Sequence, residues 1–102
     1  MIKVKEGGWL ANRKLRDLKL NEEGILVLAI YRKVNGEEKF IGAPRGDTVL
    51  TPGDTIVCYG PEDTLLSLPK RLKGPMGDRE HKEAVIRERI REKRRELTGG
   101  YD

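Results

Sequence analysis

The sequence predicts an α+β fold: a small, mostly antiparallel β-sheet with short helices in the order β-α-β-β-β-α, followed by a charged C-terminal helix. Three observations predict it. Ile25 to Tyr31 is a continuous apolar run rich in β-formers, long enough for a strand and too short for a bilayer span. Asn35-Gly36 follows it, and both residues tolerate the positive φ of a two-residue hairpin turn. Leu50-Thr51-Pro52-Gly53-Asp54 then presents proline to preset φ and glycine to supply positive φ, directly before the apolar run Thr55 to Tyr59.

The remaining elements follow in chain order. Ile2-Lys3-Val4-Lys5 alternates apolar and basic as a half-buried strand does, and Gly7-Gly8 breaks it. Asn12 is read as the cap of a short helix carrying Leu15 and Leu18 on one face, and Asn21 to Gly24 as a loop. Ile25 to Tyr31 is expected to be a central strand covered on both faces. Lys39 to Ala43 is the return strand, stopped by Pro44. Pro61-Glu62-Asp63 opens a helix, since proline and acids suit a helix start, and Leu65, Leu66 and Leu68 form its apolar face.

The domain division expected is a folded unit over 1–69, a linker over 70–78 rich in Gly and Pro, a charged helix over 79–97, and a disordered end over 98–102. Deletion of 74–102 is expected to leave the folded unit intact. Within the helix Ile86, Ile90 and Leu97 lie near one face with Lys93 interrupting them, a stripe suited to docking or to pairing with a second copy.

The 102 residues make one domain. One small sheet in so short a chain leaves apolar surface to cover, so a homodimer is expected. Arg79 to Leu97 holds eight Lys or Arg and five Glu, and so carries most of the +4 net charge. That basic helix raises an alternative, a nucleic-acid-associated protein. The interleaved glutamates and the lack of aromatic residues for base stacking argue against it. Met1 to Glu6 show no apolar run of the secretory-leader type.

Catalytic constellations are absent. His81 is the only histidine and reads as a solvated helix residue. Cys58 is the only cysteine; it excludes an intrachain disulfide and reads as a small buried hydrophobe. Asp47 and Asp54 sit beside glycines, where turn capping accounts for them. Trp9 reads as packing its own turn, or as a partner contact. No enzyme, metal or resident cofactor is expected.

Ala29-Ile30-Tyr31-Arg32, the strand end at Pro44, and Asp47-Thr48-Val49-Leu50-Thr51-Pro52-Gly53-Asp54 followed by a strand closing at Gly60 occur in an order and spacing that resembles the TrkA-C domain, the C-terminal lobe of RCK domains in potassium transport proteins. Leu15-Arg16-Asp17-Leu18 resembles the family's first helix. The resemblance implies a cytoplasmic regulatory module, at the cytoplasmic face of the membrane, that dimerises through its sheet and regulates cation transport. It implies a transporter as partner, or an N-terminal membrane segment of the same longer chain, and a small anionic or nucleotide effector near the interface groove. Arg32, Pro44, Arg45 and Asp47 are the candidate ligand-binding residues. Some members bind cyclic di-AMP between two copies; Lys19, Asn21 and Leu26 depart from their pattern, so that ligand is not carried over.

Overall fold

The computed structural model describes residues 1–98. Its main sheet has four strands in the spatial order β1-β6-β3-β4, all pairs antiparallel. β1 is Ile2–Lys3, β3 Leu26–Val34, β4 Glu37–Gly42 and β6 Thr55–Tyr59. A minor ladder joins β2 (Arg13–Lys14) to β5 (Val49–Leu50). Helices α1 (Leu15–Leu18), α2 (Glu62–Ser67) and α3 (Pro75–Leu97) complete the chain, with 3₁₀ turns at Leu20–Glu23 and Leu68–Lys70. The α+β class and the mostly antiparallel sheet are as the sequence predicts.

The turn chemistry sets the register. Asn35 and Gly36 both have positive φ, and Val34 faces Glu37 across them, the geometry of a tight two-residue hairpin. Gly53 supplies the left-handed residue of the second turn and delivers β6 antiparallel to both β1 and β3.

Ile2, Ile30 and Ile56 lie on one sheet face and pack with Trp9, Leu18, Leu20, Leu50 and Leu68 in the core. The opposite face is open. Leu26, Phe40 and Tyr59 are 59%, 63% and 74% exposed. The expectation of a strand covered on both faces therefore fails within one chain. A β-bulge at Leu28, between the pairs Val27–Cys58 and Ala29–Val57, puts both Leu26 and Ala29 on the outer face.

Several local expectations are corrected. Asn12 does not cap α1: it has positive φ itself, and Lys14 holds the cap position without a side-chain bond. Leu66 is exposed, while Thr64 and Leu68 are buried. The segment expected as a loop at Asn21 to Gly24 is largely a 3₁₀ turn with Glu23 fully buried. Residues 70–78 are not a free linker. Arg71 is buried, its carbonyl accepts from the Trp9 N–H, the Lys73 N–H donates to Gly7, and α3 begins at Pro75, not at 79. Proline at the first helical position has no N–H to leave unsatisfied, so the helix starts there. Of the end expected over 98–102, only Thr98 lies within the described residues.

Candidate functional site

Arg32 lies on β3, and its guanidinium is committed within the chain. Nε and Nη2 donate to Asp54 at 2.9 and 2.8 Å, and Nη2 also donates to the Val49 carbonyl at 2.8 Å. Asp54 is buried and also accepts from the Thr51 N–H and hydroxyl. Burial opposes ionisation of this carboxyl, but the bonds from Arg32 and Thr51 outweigh it and hold Asp54 below its ordinary value. The same hydrogen bond raises Arg32. Asp54 thus caps its turn, as the sequence predicts, and also ties that turn to the central strand.

Pro44, Arg45 and Asp47 sit in the loop between β4 and β5. Pro44 is half-buried; Arg45 and Asp47 are exposed. The loop is anchored through backbone: Ala43 N–H donates to Leu28, Arg16 N–H donates to Gly46, and Thr48 N–H donates to Arg45. Ala43 has φ 45°, left-handed for a residue with a Cβ, which stores backbone strain beside Pro44. The structure keeps Pro44, Arg45 and Asp47 in one loop. Arg32 is instead held by Asp54 and Val49, so the two arginines do not form a clamp within one chain.

The outer face of the sheet adjoins this loop through β4. Tyr31 and Phe40 are cross-strand partners with ring centroids 5.3 Å apart, and Leu26 faces Tyr59. Phe40 also leans over Gly42, where an added Cβ would lie 2.9 Å from its ring. A side chain at position 42 would lift that ring, which ties the shape of the apolar face to the glycine that begins the loop.

A second polar centre joins α3 to the core. Buried Arg71 donates to both oxygens of buried Glu23, at 2.9 and 2.8 Å. His81 Nδ1 meets Glu23 Oε2, and its ring stacks on Trp9 with centroids 5.1 Å apart. Trp9 Nε1 donates to Asp78 at 2.9 Å, and the guanidiniums of Arg13 and Arg71 each lie 4.7 Å from its ring centre. His81 is therefore an anchor of the helix, not the solvated residue expected, and Trp9 packs against two helix residues as well as its own turn. Sequence reasoning missed Glu23 and Arg71, which lie in a polar loop and a Gly/Pro-rich stretch with no local hydrophobic pattern. Cys58 packs against the core, and burial pushes its thiol up, consistent with an inert side chain.

Comparison with known proteins gives one positive result. The sequence profile of the TrkA-C domain matches residues 1–73. The match contains the four-stranded sheet, the loop with Arg45 and Asp47, and the Arg32–Asp54 pair; α3 lies beyond it. No curated protein and no solved structure matches the chain.

Proposed function

The chain belongs to the TrkA-C domain family, a family of regulatory domains of potassium transport systems, and from that premise we propose that it is an effector-responsive dimerisation module of a potassium or other cation transporter. The observation that carries this reading is the open apolar face of the sheet, with Leu26, Phe40 and Tyr59 all inside the matched residues. Water-exposed aromatic and aliphatic side chains on one continuous face favour burial against a partner. A second copy supplies the same face under two-fold symmetry. The module acts on the cytoplasmic side, on a transporter subunit or a membrane segment of the same longer chain.

The effector is a small anion or a nucleotide held at the loop beside that face. Arg45 and Asp47 are its polar contacts and Pro44 its apolar wall. Arg32 serves as a positioning residue, because its Nε and Nη2 are held by Asp54 and Val49. A nucleic-acid function gains no comparable support, since α3 carries an apolar stripe and no aromatic residue.

Calorimetry with a panel of nucleotides and cyclic dinucleotides tests the effector reading, with Arg45→Ala as the variant. Losing one charge-assisted contact is expected to weaken binding by about tenfold or more. Binding that Arg45→Ala leaves unchanged removes this loop from the site. No binding at all reduces the module to a structural dimerisation unit.

A further inference from the structure

The solvent-facing side of α3 has a composition that the glutamates of its sequence conceal. At about 3.6 residues per turn, the docked side is centred on His81, Ala84 and Glu88, and Ala84 and Glu88 are buried. The opposite side presents Ile86, Ile90 and Leu97, exposed by 55%, 51% and 80%. Arg79, Lys82, Arg89, Lys93 and Arg94 surround them, all exposed, and Glu83 is the one acid in their midst. The other acids lie elsewhere. Glu88 accepts from Arg91 and Arg95, Glu80 turns toward Arg71, and Asp63 pairs with Arg87. Bases therefore outnumber acids on this face, while Asp78, Glu92 and Glu96 are exposed on the helix outside it. A shallow groove of about 440 Å³ runs along Ile86, Arg89, Ile90, Lys93, Arg94 and Leu97.

We propose that this face of α3 lies on an anionic lipid surface, with Ile86, Ile90 and Leu97 inserted among the acyl chains and the flanking bases on the headgroups. An apolar stripe bordered by Lys and Arg can rest on an anionic surface by combining shallow burial of the apolar side chains with attraction of the bases to the headgroups. Among the described residues no helix is long and apolar enough to cross a membrane, so α3 lies on the surface and does not span it. Charge selects the occupant. Ile86, Ile90, Lys93 and Leu97 follow the four-three-four spacing of a coiled-coil seam, so a second copy is the obvious competitor. Its flanks are Lys82, Arg89 and Glu96 on one side and Arg87 and Arg94 on the other; with one acid among five flanking charges, either helix orientation still sets bases opposite bases and puts Lys93 into the seam. Nucleic acid satisfies the bases and leaves the isoleucines in water. An anionic bilayer satisfies both. The inference does not depend on the sheet-mediated dimer, since α3 lies outside the residues that form the sheet.

The experiment is co-sedimentation of the full chain with phosphatidylglycerol-containing vesicles and with pure phosphatidylcholine vesicles. Two double variants accompany it, Ile86→Ser/Ile90→Ser and Arg89→Gln/Lys93→Gln. All four positions are exposed, so both variants are expected to melt like the parent. The parent is expected to bind the anionic vesicles, and each variant to lose about tenfold or more of that binding. Absence of binding, or equal binding to the neutral vesicles, overturns the proposal. Duplex DNA binding that needs Arg89 and Lys93 but not the isoleucines would assign the face to nucleic acid instead. A fall in sedimenting mass of the isoleucine variant would assign it to a second copy.

Discussion

Asp54 is the residue on which the central strand and its neighbouring turn depend. A buried carboxylate is tolerable only when its oxygens are satisfied, and here Arg32 and Thr51 satisfy them. Arg32→Ala leaves that carboxylate with the Thr51 bonds alone, and is expected to cost about 2–4 kcal/mol in denaturant unfolding. The pair also gives stability an acid limb. Because Asp54 titrates lower in the folded chain than its ordinary value of 3.8, its contribution is complete above that value and is lost as pH falls through the folded-state value. Arg32→Ala should flatten this limb, measured as the midpoint of unfolding at pH 2 to 5, a window about the ordinary carboxylate value. Ala43 sits in a left-handed conformation that glycine adopts without strain, so Ala43→Gly is expected to stabilise the chain by about 1 kcal/mol in the same assay.

The element with the largest departure from its sequence reading is α3. Its first turns are part of the core. Gly77 lies so close to Trp9 and the Leu72 carbonyl that an added Cβ would fall 2.6 and 2.0 Å from them, and His81 closes over the Glu23–Arg71 pair. Deleting 74–102 is therefore expected to lower stability by about 3–5 kcal/mol, since it uncovers Trp9 and opens a buried ion pair to water. Unchanged thermal melting of the truncated chain would return α3 to the status of a separate tail. The hairpin and the Pro-Gly turn were legible because each is written in adjacent residues whose φ preferences are local. The Glu23–Arg71–His81 centre was not, because its members are up to 58 residues apart and each looks like an ordinary surface charge. The same limit hid the Arg32–Asp54 pair, which joins two elements that only the sheet register brings together. The loop with Pro44, Arg45 and Asp47 was legible as a unit, since proline ends β4 and the three residues follow one another closely.

At the scale of the whole molecule, one sheet has a core on one side and water on the other. The bulge at Leu28 turns Leu26 to the exposed side, together with the buried Ala29. Membership in the TrkA-C family and an open face of Leu26, Phe40 and Tyr59 both support the proposed symmetric pairing of sheets. Replacing Phe40 with aspartate sets two carboxylates into such an interface and removes an aromatic ring from it, and at an exposed position on the edge strand β4 it is expected to leave the monomer folded. Sedimentation velocity of the parent and of Phe40→Asp at micromolar concentration is the most direct test. The parent is expected at about twice the 11.6 kDa chain mass and the variant at the chain mass itself. A monomeric parent, or a variant that still sediments as the dimer, would contradict dimerisation through the sheet.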